Sequence, residues 1–196
     1  MNYLAHAYLS FEQPGLLAGN MISDFVKGKK RFDYPPGIRH GITLHREIDR
    51  FTDSHPAIRD AKNIFRPAYR LYSGSLVDII NDHFLATDEN EFSDESLRLF
   101  SLNTYKLLDG YAGYFPEKFG RMYPYMKTQN WLYNYRYLRG IEQSLAGVVR
   151  RSLYMTESDT AFRLFNEHYD LLRQCYRSFF PDVKKLAQQF VQQLND

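Results

Sequence analysis

The chain has 196 residues, 44% apolar and 24% charged, enough to bury a core without disulfide or metal staples. Its 25 basic and 23 acidic side chains leave a formal net charge of +2, too even to imply nucleic acid as a partner. The single cysteine, Cys175, excludes an internal disulfide and a multi-cysteine zinc site, and no apolar run approaches the roughly eighteen residues of a membrane span.

Apolar residues recur mostly at helical spacing. Helices are predicted over 2–11, 15–27, 36–53, 56–71, 75–87, 94–113, 116–127, 130–151, 158–179 and 182–194. Pro14, Pro35, Pro36, Pro56, Pro116 and Pro181 suit helix starts or the turns before them. Ser93 and Ser158 suit N-caps, and Gly28 suits a helix C-terminus. No convincing strand or hairpin turn is present. The expectation is an all-α, single-domain helical bundle over residues 1–196. The opening stretch "MNYLAHAYLS" has no basic n-region, so no signal peptide is expected and the cytoplasm is the expected location.

The first helix, "NYLAHAYL", is apolar nearly all round, with His6 at its middle. Such a histidine is either hydrogen-bonded in the core or a ligand. In "LLAGNMISDFVKG", Asn20 and Asp24 share a face one turn apart, and Gly19 either admits a close neighbour or is merely tolerated. In "GITLHREIDRFTDSHP", Leu44, Ile48 and Phe51 make an apolar face, and His45, Asp49 and Asp53 form a row beside it rather than opposite it. That row is an i,i+4 ion pair on a wet face or part of a metal site. In "SLVDIINDHFLA", Asp78, Asp82 and His83 interrupt a helix apolar on most sides. A buried carboxylate there needs a cation, a backbone cap or a metal.

Four helices thus offer His, Asp or Asn at one-turn spacing within the first 83 residues. Mixed imidazole and carboxylate donors suit manganese, iron or magnesium, and such centres hydrolyse phosphate esters. No G-x-S-x-G, P-loop or G-x-G-x-x-G sequence offers another chemistry.

The segments "MNYLAH", "GNMISDFVKG", "GITLHREIDRFTDSHP" and "VDIINDHFLA", in this order, resemble the acyl carrier protein phosphodiesterases. "MKTQNWLYNY" and "GIEQSLAGVVRR" extend the resemblance over nearly the whole chain. It implies an all-helical, HD-like fold and a divalent metal, usually Mn2+, with Mg2+ or Fe2+ as alternatives. It implies hydrolysis of the phosphodiester joining 4′-phosphopantetheine to a serine of holo-acyl carrier protein. Carried onto this chain, the catalytic candidates are Asp24, His45, Asp49 and Arg46, the last through its planar fork on phosphate oxygens. The metal candidates are Asp24, His45, Asp49, Asp82, His83 and His6. Asn20, Asp53, His55 and Asp78 are candidates for substrate contact. Lys27, Lys29 and Lys30 in "KGKKRFD" are candidates for steering an acidic carrier, and Arg150 with Arg151 forms a second basic pair.

Two departures stand out. The contiguous His-Asp pair of HD enzymes is absent, Asp82-His83 having the reverse order. Where the family often carries a tryptophan after "DHFLA", this chain reads "TDENEF". The alternative functions are hydrolysis of a nucleotide or other small phosphodiester, and non-catalytic binding of a carrier protein or lipid.

Overall fold

Prolines and close-packing glycines set the frame. The computed structural model describes residues 1–152 and 154–195. Eleven α-helices and no strand occur among them: α1 (Tyr3–Tyr8), α2 (Pro14–Ile22), α3 (Pro36–Ser54), α4 (Pro56–Tyr69), α5 (Ser73–Thr87), α6 (Asp94–Asp109), α7 (Glu117–Thr128), α8 (Trp131–Asn134), α9 (Leu138–Arg151), α10 (Asp159–Glu167) and α11 (Tyr169–Asn195). The all-α expectation holds. Pro14, Pro36 and Pro56 open their helices, where the missing N–H costs nothing. Ser93 and Ser96 form a reciprocal capping box at the start of α6.

The centre is α5, in which Leu76, Val77, Ile79, Ile80, Phe84 and Leu85 are all buried. It packs against α1, α4, α9 and α11. Beside it, α2 and α3 run together with Gly15 against Gly37 and Gly19 against Gly41. A Cβ on Gly19 would lie 2.0 Å from the Ile38 carbonyl oxygen, and one on Gly41 would lie 2.1 Å from that of Leu16. Only hydrogen at these two positions lets the backbones come this close, which answers the question raised by Gly19.

Several expected boundaries shift. The helix predicted over 15–27 ends at Ile22 and continues as a 3-10 turn, Ser23–Phe25. Gly28, at φ +57°, turns the chain into a second 3-10 segment, Gly28–Asp33, rather than ending an α-helix. The helix predicted over 130–151 breaks between α8 and α9, where Gly140 packs on the Asn134 carbonyl. The last helix begins at Tyr169 and runs through Pro181. Burial of Phe179, Phe180 and Val183 around that proline offsets the about 3 kcal/mol that an interior proline costs. Ser158 precedes α10 but makes no side-chain cap.

Candidate metal centre

Asn20 is fully buried on α2, and the glycine contact brings it against α1 and α3. Its Nδ2 donates to the His6 carbonyl at 2.9 Å and to Ser10 Oγ at 3.0 Å. A flipped amide would set oxygen against that carbonyl, so the orientation is fixed. Asn20 Oδ1 therefore faces His6 Nδ1, at 2.8 Å, and the proton of His6 sits on Nδ1. The backbone carbonyl of the same asparagine accepts from His45 Nδ1, also at 2.8 Å. One residue thus orients both imidazoles and leaves both Nε2 atoms facing Asp49.

The His6 and His45 rings stack, with centroids 3.9 Å apart and planes 14° from parallel. Both Nε2 atoms meet Asp49. Its Oδ1 is 3.3 Å from His6 Nε2, and its Oδ2 is 3.1 Å from His45 Nε2. Asp24, on the 3-10 turn after α2, brings Oδ1 to 3.2 Å from His45 Nε2. The ligand atoms of His6, His45 and Asp49 all lie within 4.8 Å of one another, the one such cluster of three among the described residues.

The protonation states follow from the surroundings. Burial and the neighbouring His45 charge lower His6 to about 4, so it is neutral near pH 7. Its Nε2 then has a lone pair aimed at a carboxylate, and no hydrogen-bond partner satisfies this buried atom. Burial also works against charge on His45, but hydrogen bonds to Asp24 and Asp49 outweigh it and lift the imidazole to about 9. For Asp49 burial acts upward, but the hydrogen bond from His45 holds it well below the usual carboxylate range. The His45 hydrogen bond likewise lowers Asp24. Two oriented imidazole nitrogens and two ionised carboxylates, with an unsatisfied lone pair among them, fit a divalent cation. The Asn20 contacts supply the outer hydrogen bonds that such ligands need.

The other candidates lie elsewhere. The expected ligand role of Asp82 gives way to a cap. Its oxygens accept from the backbone N–H groups of Asn2, Leu4 and Ala5 at 3.2, 2.7 and 3.2 Å, holding the start of α1. His83 has both nitrogens occupied, Nδ1 at the Tyr135 carbonyl (2.8 Å) and Nε2 at the Tyr169 hydroxyl (3.0 Å). It is a core histidine among Phe84, Phe165 and Tyr169. Asn20, expected at the substrate, is instead buried behind the histidines.

Asp53 pairs with Lys62 at 2.7 Å. His55 caps α4 through the Ala57 N–H and meets Asp182 at 3.4 Å. Asp78 pairs with the Met1 ammonium at 2.7 Å. Arg46 donates to the Val26 carbonyl at 3.1 Å and so ties α3 to the segment that carries Asp24. Lys27, Lys29 and Lys30 are exposed just beyond it, and no carboxylate pairs with them among the described residues. The reading of the residues missed the double role of Asn20. Its one visible signal was the matched spacing of Gly15 with Gly19 and Gly37 with Gly41.

No helix among the described residues is long and apolar enough to cross a membrane. The family model described as acyl carrier protein phosphodiesterase matches residues 1–183. Proteins named acyl carrier protein phosphodiesterase are similar over nearly their full length. That of Photorhabdus laumondii is 31% identical over 189 residues, covering 96% of each chain. That of Yersinia pestis is 30% identical over 189 residues, covering 96% of this chain and 98% of its own. That of Klebsiella pneumoniae is 31% identical over 193 residues, with the same coverage. No solved structure matches. Motifs, fold and full-length similarity agree, and the chain belongs to the acyl carrier protein phosphodiesterase family.

Proposed function

We propose that this chain, acting as one domain, hydrolyses the phosphodiester between 4′-phosphopantetheine and the carrier serine of holo-acyl carrier protein. The products are apo-carrier and free 4′-phosphopantetheine. Beyond family membership, one observation supports a metal-dependent reaction: the orphaned Nε2 of His6 beside Asp49, within reach of His45.

His6, His45 and Asp49 would hold the ion, and Asp24, the most exposed of the group, stands beside His45. Two imidazole nitrogens favour manganese or iron(II) over magnesium, which prefers oxygen. When bound, such an ion lowers the pKa of a water and offsets phosphoryl charge. His6 is already neutral and both carboxylates are already ionised, so only His45 must lose a proton to bind it. Asp24, at the solvent edge, is placed to take a proton from the attacking water. Water oxygen joins phosphorus, the bond from phosphorus to the serine oxygen breaks, and that oxygen gains a proton. Arg46 acts from behind by fixing the backbone after Asp24. Lys27, Lys29 and Lys30 give an acidic carrier a cationic edge to meet.

The purified chain with manganese should turn over holo-carrier with a far higher kcat/KM than any free nucleotide. A preference for a nucleotide, with no apo-carrier formed, would reject the carrier as substrate.

A further inference from the structure

The proposed reaction leaves one question of recognition. The carrier serine and the phosphate are only one end of the substrate, and the pantetheine arm must lie somewhere. We infer that it lies in a trough running from Asp24, past Arg151, to Trp131. This rests on phosphopantetheine being the group released.

Two clefts meet here. One, of about 320 Å³, is lined by Asp24 together with Tyr3, Ile79 and Arg151. The other, of about 540 Å³, is lined by Gly147, Ser144, Gln143, Asn134 and Trp131. Both count Asn2, Tyr3, Ile79 and Arg151 in their walls, so they adjoin, and the first reaches Asp24 beside the candidate centre. Their volumes fall within the range of small-molecule sites. The second cleft follows α9 from Gly140 to Arg151, about 16 Å at the helical rise. An extended pantetheine arm has about thirteen bonds from phosphorus to sulfur, about 15 Å at the per-bond rise of extended backbone.

The chemistry changes along the channel as the arm's does. Near Asp24, Arg151 offers a guanidinium with no carboxylate paired to it among the described residues. It sits in the last turn of α9 and suits the phosphate. Tyr3 and Ile79 then present apolar surface for the branched dimethyl segment. Farther on, Asn134, Gln143 and Gln129 offer side-chain amides, matching the two amides of the arm. Trp131 stands in the wall of the same cleft, its ring centroid 6.5 Å from that of Tyr3. Gly147 is the buried floor, and a Cβ there would meet only the flexible ends of Arg151 and Arg150, at 3.5 and 3.8 Å. A larger side chain at 147 would therefore project into the channel.

Trp131 is the only tryptophan of the chain, so its fluorescence reports occupancy without turnover. Free 4′-phosphopantetheine titrated into the intact chain should change that fluorescence saturably, and inorganic phosphate should not. Gly147→Phe should abolish the response, Ser144→Phe should weaken it, and Arg151→Ala should raise the apparent Kd about tenfold, the worth of one charge-assisted bond. The two bulky variants should also raise KM for holo-carrier, with circular dichroism and manganese binding unchanged. No fluorescence response in the wild type would overturn the assignment. So would equal kcat/KM for wild type, Gly147→Phe and Ser144→Phe on holo-carrier. A saturable response in a chain that leaves holo-carrier intact would keep the channel and reject the proposed reaction instead.

Discussion

His6 and His45 lie ring over ring, 3.9 Å between centroids, and both are held through Nδ1 by Asn20. They come from different helices, yet their free nitrogens converge on Asp49. The arrangement is costly without a cation, because a buried lone pair faces a carboxylate. It becomes favourable once a cation stands between them.

Asn20→Ala should therefore weaken metal binding without removing a ligand. The expected loss is about 10- to 100-fold in manganese affinity, as for other residues that orient ligating histidines. Stability should fall by about 1–3 kcal/mol, since His6 Nδ1 loses its acceptor while Ser10 Oγ still serves the His6 carbonyl. Isothermal titration with manganese, beside a urea melt, checks both. Unchanged affinity would deny Asn20 its orienting role.

The charge on His45 should make the metal-free chain sensitive to pH. Its folded pKa is raised from 6.5 to about 9, so its contribution is complete below about 6.5 and is lost as pH rises through about 9. The full effect is about 3 kcal/mol. Wild type should exceed His45→Gln in melting temperature at pH 6, and the gap should shrink by pH 9.5. Manganese binding at pH 7.5 should release close to one proton, read from titrations in buffers of different ionisation enthalpy, because His6 is already neutral. A gap constant across that range would contradict the assignment of the proton to His45.

Asp82→Ala should separate folding from metal binding. It removes the acceptor for three amides at the start of α1 and should cost about 2 kcal/mol or more. The manganese stoichiometry of the folded fraction should stay at the wild-type value. Full stability with lost manganese would return Asp82 to the ligand set.

Gly41→Ala should be among the most damaging single-methyl additions in the chain. The new carbon would stand 2.1 Å from the Leu16 carbonyl oxygen, and α2 and α3 would have to separate. The overpacking cost is about 3 kcal/mol, and manganese affinity should drop with it because Asn20 moves away from His45. Gly147→Ala, which meets only mobile side-chain ends, should leave stability nearly unchanged.

Much of the candidate centre was legible because α3 carries His45 and Asp49 one turn apart, beside rather than opposite an apolar face. His6 was legible as a polar group in an apolar helix, though its partner was not. Asp82 and His83 had the same signature, buried polar groups at helical spacing, and became a cap and a core histidine. Their partners are brought in by the fold: the Leu4 N–H lies 78 residues from Asp82, and the Tyr169 hydroxyl 86 from His83. Spacing along one helix carries no record of such neighbours. Pro181 misled for a related reason, since burial of its neighbours outweighs a local helix-breaking preference.

The most direct test of the metal centre as the seat of hydrolysis is the intact mass of holo-acyl carrier protein. It would be measured after incubation with wild type or His45→Ala, with manganese or with chelator. Loss of one 4′-phosphopantetheine from the carrier is expected only with wild type and manganese together. Equal loss with a folded His45→Ala chain, or in chelator, would contradict it.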